Sequence, residues 1–231
     1  MRPGVWAAFT NVAAGNLALH VGDDPAAVRE RRELLGQAAG LGPRRFRFMN
    51  QVHGNDVAVF AGPAGPEAGP PPTADAMVSA REPLAVMVAD CVPIVLVGER
   101  AGDSLAEPVL AVVHAGRPGL AAGVVPAAVT QMRALGAENI GAWIGPSICG
   151  KCYEVPEGMR ADVAALVPAA WCTTSRGTPG LDLPAGVRSQ LEAAGVAVEY
   201  SGGCTREDDE LFSYRRNSHA GRFAGLVWTG A

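Results

Sequence analysis

Two imidazoles and a thiol, His53, Cys91 and His114, are the side chains of this 231-residue chain best suited to chemistry. Such groups bind a transition metal or activate a nucleophile. They lie in Asn50-Gln51-Val52-His53-Gly54, Ala89-Asp90-Cys91-Val92-Pro93 and Val113-His114-Ala115-Gly116, and take two of the four histidines. As metal ligands they suit zinc or copper and leave a fourth tetrahedral position for water or substrate, which is the layout of a catalytic zinc site. Zinc would bring the pKa of a bound water toward about 7, and Asp90 is placed to orient a histidine. Without a metal, Cys91 is a nucleophile favoured by a nearby imidazolium, and the other histidine handles the leaving group's proton. Taken alone, Cys91 between two apolar runs also reads as a core residue, the common fate of cysteine. The sequence separations are too long to decide among these.

The elements that must position the trio follow from composition and periodicity. Asp23-Asp24-Pro25 marks a helix start, with an apolar face continuing to Gly40. Phe46–Met49 and Asp56–Phe60 read as strands on either side of His53. Continuous apolar runs at Leu84–Val88 and Ile94–Val97 bracket Asp90-Cys91, and Val109–Val113 leads into His114, which predicts strands covered on both faces. The Gly-Pro-Ala stretch from Ala61 to Thr73 reads as a surface loop. A helix is expected over Gly119–Leu135, best formed from Pro126, with others at Glu157–Val167 and Pro184–Ala194. Further strands are expected at Gly141–Ile144, Val196–Tyr200 and Phe223–Trp228. Strand pairs mixed among helices, without regular alternation, point to an α+β fold with mixed sheets, and residues 1–231 read as a single domain.

Whole-chain properties remove several function classes. Nineteen Lys+Arg against 23 Asp+Glu give a net charge of −4. With no basic run beyond Arg44-Arg45, nothing marks a nucleic-acid or anionic-membrane surface. No apolar run approaches the ~20 residues of a membrane span, and no signal-peptide pattern opens the sequence, so the expectation is a cytoplasmic protein. Five scattered cysteines fit reduced thiols better than a disulfide framework.

Weaker features carry less. Cys149-Gly150-Lys151-Cys152 has metal or redox spacing, but with no second pair at ribbon spacing it reads as coincidence. Gly116-Arg117-Pro118-Gly119 reads equally as a phosphate-receiving helix start or an ordinary Gly-Pro turn. Arg206, Arg215 and Arg216 with Glu207–Glu210 read as a solvated ion-paired loop, from which Tyr214 and Arg215 stand out as site candidates. His20 and His219 have no visible partner and read as structural or surface residues.

The three motifs, together with Leu19–Asp24, Ala74-Asp75-Ala76, Gly145–Ile148, Cys152-Tyr153-Glu154-Val155, Cys204-Thr205 and Phe212–Arg216, resemble the YfiH-like family, also called the laccase-domain or polyphenol oxidase family. The resemblance runs from about Asn16 to Trp228. It implies a sandwich of mixed sheets with outer helices in α/β/β/α layers and a zinc-binding His-Cys-His site. It also implies phosphorolysis of adenosine, inosine and guanosine to base and ribose 1-phosphate, with adenosine deamination and methylthioadenosine phosphorolysis as side reactions. His53, Cys91 and His114 carry over as catalytic and metal residues, with zinc or copper as the ion and inorganic phosphate as co-substrate. Asn50, Gln51, Asp90, Arg117, Tyr153, Tyr214 and Arg215 are candidates for supporting the trio or touching substrate. A monomer or small homo-oligomer acting on small molecules is expected.

Where the family reads Ala-Gly-Trp-Arg-Gly, this chain has Ala115-Gly116-Arg117-Pro118-Gly119. The aromatic is lost and the arginine sits one place earlier, which alters base stacking or phosphate placement. Four histidines are too few for a multicopper oxidase cluster. Two rivals stand beside the phosphorylase: a cysteine hydrolase acting on peptidoglycan precursors, and a non-catalytic metal-binding module.

Overall fold

In the computed structural model, which describes residues 4–62, 70–100 and 107–230, the continuous apolar runs become strands buried on both faces. In chain order the elements are β1 (Val5–Phe9), α1 (Pro25–Ala38), β2 (Val57–Phe60), β3 (Ala76–Ser79), β4 (Leu84–Val88), β5 (Val92–Arg100) and β6 (Val109–Ala115). They continue with α2 (Arg117–Ala121), α3 (Val124–Ala134), β7 (Ala137–Ile144), α4 (Glu157–Leu166), β8 (Trp171–Thr173), β9 (Pro179–Leu181), α5 (Leu183–Ala193), β10 (Ala197–Ser201) and β11 (Phe223–Thr229). A six-stranded mixed sheet has the order β10-β7-β5-β6-β3-β2, and a three-stranded antiparallel sheet has the order β1-β11-β4. β8 and β9 form a separate pair.

Period-two alternation builds the layers. In β4, Leu84, Val86 and Val88 face the large sheet, where they meet Val95 and Val97 of β5 and Leu110 and Val112 of β6. Ala85 and Met87 point the other way, to a cluster with Leu17, Leu41, Phe46 and Leu35 of α1. On the far face of the large sheet, Ile94, Leu96, Ala111 and Val113 pack with Val125, Val129 and Met132 of α3 and Val187 and Leu191 of α5. The resulting order is helix, small sheet, large sheet, helices. His114 has the same parity as Leu110 and Val112, so it projects between the two sheets at the carboxyl end of β6.

Asp24 caps α1 by accepting from the Ala26 amide, and Pro25 occupies the first turn as expected. The helix expected over Gly119–Leu135 is instead two: α2 ends before Gly123, whose left-handed backbone (φ +80°) breaks the chain direction. α3 then starts at Val124, and Pro126 sits in its first turn, where its missing N–H breaks no helical bond. Phe46–Met49 is extended but not a strand of either sheet, because only Arg47 bridges to Leu84. Of the loop expected at Ala61–Thr73, residues 63–69 lie outside the described residues; the rest carries no regular element beyond a bridge from Thr73 to Asn50. Among the described residues no helix is long and apolar enough to cross a membrane.

Candidate metal and substrate site

Three chain segments deliver the trio to the same end of the sandwich. Ala89-Asp90-Cys91 carries the chain from β4 in the small sheet to β5 in the large one, and Asp90 takes a left-handed backbone (φ +85°) in that crossing. His53, in the loop before β2, also has positive φ (62°). For non-glycine residues such conformations are uncommon and collect at functional sites. The surrounding hydrogen bonds hold both in place. Asp75, fully buried, accepts from the amides of Val52, His53 and Gly54 at 3.3, 2.9 and 2.6 Å. Asp90 accepts from Thr205 Oγ1 at 2.7 Å and from the Arg215 amide at 2.6 Å.

The trio converges. One ligand atom from each of His53, Cys91 and His114 lies within 4.8 Å of the others. Cys91 Sγ is 3.7 Å from His53 Nε2, and the two imidazoles meet edge to face with centroids 4.7 Å apart. His114 Nδ1 bonds Asp75 Oδ1 at 2.7 Å, which leaves Nε2 toward the trio. This is the carboxylate–histidine support that fixes a metal ligand's tautomer. The donor set of two imidazoles and a thiolate fits zinc, and a small distance contraction would bring the atoms to zinc–ligand lengths of about 2.0–2.3 Å. Gly116 makes room: a Cβ there would stand 2.5 Å from His53 Cδ2 and 3.2 Å from Cys91 Sγ.

Electrostatics couple the same residues. Burial alone would raise the Cys91 thiol, but the charge and hydrogen bond of His114, aided by His53, bring it down to about 6. Burial likewise opposes a charged His114, yet the Cys91 thiolate and the Asp75 carboxylate raise it to about 9. Asp75 is itself held below the usual carboxylate range, since its bonds to His114 and the Gly54 and His53 amides outweigh desolvation.

The trio opens on a cavity of about 520 Å³. Met87, Val88, Ile148 and Leu183 supply apolar wall, while Arg117, Arg215 and Arg222 bring guanidinium groups to it. Tyr153 lies beneath Arg215, whose Cζ is 4.6 Å from the ring centroid. Burial pushes the Tyr153 phenol up, and the charges of Arg215 and Arg117 pull against that shift.

Of the residues expected around the trio, Gln51, Asp90, Arg117, Tyr153, Tyr214 and Arg215 line this cavity. The Gln51 amide is spent on the Met87 backbone, giving to its carbonyl at 2.7 Å and taking from its N–H at 2.9 Å. Asn50 is not among the residues that line the cavity; it is exposed and pairs with the segment at Pro71–Thr73. The histidine-orienting part expected of Asp90 falls to Asp75, because both Asp90 oxygens are engaged by Thr205 and Arg215. Asp75 was legible only as one letter of a motif.

His20 and Arg222, which the sequence left without a part, line the cavity. The Arg206–Arg216 segment is exposed across Glu207–Glu210 and pairs Arg216 with Asp209 at 3.7 Å, as expected of a solvated ion-paired loop, but Arg216 does more than that. Arg216 gives to the carbonyls of Thr205, Arg206, Asp208 and Leu211 and so shapes the turn from within. Cys149 and Cys152 are not an isolated pair, since Cys204 and Glu207 close on them within 4.8 Å.

Comparison with known proteins agrees with this architecture. The family model described as multi-copper polyphenol oxidoreductase laccase matches residues 4–230. The chain is 53% identical over 218 residues to a purine nucleoside phosphorylase of Streptomyces coelicolor, covering 92% of this chain and 87% of that one. It is 44% identical over 218 residues to a purine nucleoside phosphorylase of Mycobacterium tuberculosis, covering 92% and 84%. Among solved structures it is similar to YlmD from Geobacillus stearothermophilus, with a TM-score of 0.83, 29% identity and coverage of 100% and 93%. It is similar also to a Neisseria meningitidis protein, with a TM-score of 0.80, 31% identity and coverage of 99% and 96%. The chain belongs to the YfiH-like, laccase-domain family.

Proposed function

We propose that this chain is a zinc-dependent purine nucleoside phosphorylase that cleaves adenosine, inosine and guanosine with inorganic phosphate to base and ribose 1-phosphate. The observation that carries this reading is one cavity lined at once by the His53–Cys91–His114 donors, three arginines and an apolar wall. The relatives named purine nucleoside phosphorylase support it.

Zinc held by His53, Cys91 and His114 would supply Lewis acidity toward substrate, and copper competes for the same ligands. The chain's own residues do the rest. Asp75 fixes the His114 ring through Nδ1. Arg117 and Arg215 bind the phosphate dianion with charge-assisted bonds. The apolar wall around Met87, Ile148 and Leu183 takes the purine and excludes water. As a phosphate oxygen bonds to the sugar C1′, the bond from C1′ to the base breaks, and the base leaves with the electron pair and takes up the proton that the hydrogen phosphate gives up. Tyr153, kept protonated by burial, donates a hydrogen bond during that departure. Methylthioadenosine phosphorolysis and adenosine deamination are side activities of the same cavity, and the reading places the enzyme in the cytoplasm.

A second reading has one observation in its favour: a Cys91 thiol lowered to about 6 beside a charged imidazole is the pairing of a cysteine hydrolase, here acting on a peptidoglycan precursor. Chelation separates the two. The phosphorylase loses base release when its metal is stripped and regains it with added zinc. Full turnover of a precursor by stripped protein, with an adduct on Cys91, would instead establish the hydrolase.

A further inference from the structure

Beyond the cavity, a second group of metal-ligating side chains lies on the outer side of the same loops. Cys149 and Cys152 belong to one turn, in which the Cys152 and Tyr153 amides both donate to the Cys149 carbonyl at 3.0 Å. Cys204 and Glu207 belong to another, closed by the Glu207 amide on the Cys204 carbonyl at 3.2 Å. Both turns therefore present ligand-type side chains at positions i and i+3. This is the repeated two-residue spacing of four-ligand zinc sites, with glutamate in the last place. The second half escapes a search for cysteine pairs because its partner is Glu207.

The turns face each other through defined contacts. The Ser147 amide donates to Gly203 O and the Thr205 amide to Ser147 O, each at 3.1 Å. The Cys149 amide donates to Cys204 Sγ at 3.4 Å, Cys152 Sγ donates to Glu207 Oε1 at 3.2 Å, and Arg206 Nη1 bonds the Cys152 carbonyl at 3.0 Å. All four ligand atoms lie within 4.8 Å of one another. In a tetrahedron with Zn–S near 2.3 Å and Zn–O near 2.0–2.2 Å, ligands stand roughly 3.5–3.8 Å apart, so only a small inward movement is needed. All three sulfurs are free thiols and partly buried, and Glu207 is exposed.

We propose that Cys149, Cys152, Cys204 and Glu207 form a second, structural zinc site that fastens the 147–154 turn to the 203–216 segment. Three thiolates and one carboxylate select a thiophilic divalent ion. Four protein ligands leave no position for substrate, which sets this site apart from the His-Cys-His trio. Its consequence for the cavity is positional. Tyr153 directly follows Cys152, while Thr205, directly after Cys204, bonds Asp90, the neighbour of Cys91. Losing the ion loosens both links without removing any group that touches substrate.

The test keeps the two metal sites apart. Full-length Cys91→Ala/His114→Ala protein, in which the trio cannot bind, is purified under reducing conditions and its zinc is measured per chain. It is then stripped and refilled with cobalt(II). One equivalent of zinc is expected, with a cobalt spectrum showing strong thiolate-to-metal charge-transfer absorption. Cys204→Ser in that background loses the equivalent. Glu207→Gln, a milder change that keeps the fold, weakens cobalt binding and shifts the absorption. In the same Cys91→Ala/His114→Ala protein, zinc removal by a mild chelator lowers the melting temperature while circular dichroism at low temperature still reports folded protein. Absence of bound metal in the Cys91→Ala/His114→Ala protein would overturn the proposal. So would cobalt absorption indifferent to Glu207→Gln, or a disulfide among the three cysteines in freshly reduced, metal-supplied protein.

Discussion

At the scale of single residues, Asp75 organises the site more than any other side chain. Its buried carboxylate holds the His114 ring with one oxygen and gathers three amides around His53. Asn in its place would present an N–H₂ toward donors, leaving buried groups unpaired. Asp75→Asn is expected to destabilise the protein by on the order of 3 kcal/mol and to lower metal affinity about 10–100-fold, measured by chemical denaturation and competition with a chelator. The Cys91–His114 pair gives a pH prediction for metal-stripped protein. The folded Cys91 thiol lies at about 6 against an ordinary thiol value of about 8.5. Its stabilising ionisation is therefore complete above the ordinary value and lost as pH falls through 6. His114, raised to about 9, contributes fully below its ordinary value and loses that contribution as pH rises through 9. Between the two the thiolate–imidazolium pair persists, so iodoacetamide should alkylate Cys91 with a midpoint near 6. A midpoint at the ordinary thiol value would remove the second functional reading.

At the scale of elements, the junction of β6 and α2 decides how closely the chain approaches the trio. Gly116 caps α2 with its Cα hydrogen against His53 and Cys91. An added methyl displaces His53, whose exposed side chain can swing away while the fold absorbs the change. Gly116→Ala should therefore cost activity on the order of 100-fold with little change in melting temperature; an equal loss of both would mean that Gly116 serves the core. The long buried strands were legible because β4, β5 and β6 are continuous apolar runs. β3 escaped because Ala76-Met77-Val78-Ser79 is four residues long with a single β-branched member, and its place is set by pairing with β2 and β6. The split of α2 from α3 was marked by Gly123, whose left-handed turn lets both helices pack on β6.

At the scale of the whole molecule, the cavity sits where loops from both sheets and the 203–222 segment meet, and this convergence was not legible in spacing. The trio was legible as residue types, and the motif resemblance supplied the grouping. The four-ligand cluster was half-hidden, because Cys149 and Cys152 are 52 or more positions from Cys204 and nothing local links them. Arg215 enters the cavity from that distant segment, its amide on Asp90 and its Nη1 on the Glu154 carbonyl at 2.9 Å. Arg215→Ala should raise the KM for phosphate about 10–100-fold, the worth of one charge-assisted bond, and leave the KM for nucleoside nearly unchanged. A rise in the nucleoside KM instead would place Arg215 at the base. The decisive assay gives purified, zinc-loaded protein inosine or adenosine, in the presence and absence of inorganic phosphate, and quantifies base and sugar products. The prediction is equal amounts of base and ribose 1-phosphate only when phosphate is present, abolished by Cys91→Ala. No base, or free ribose formed regardless of phosphate, would contradict it.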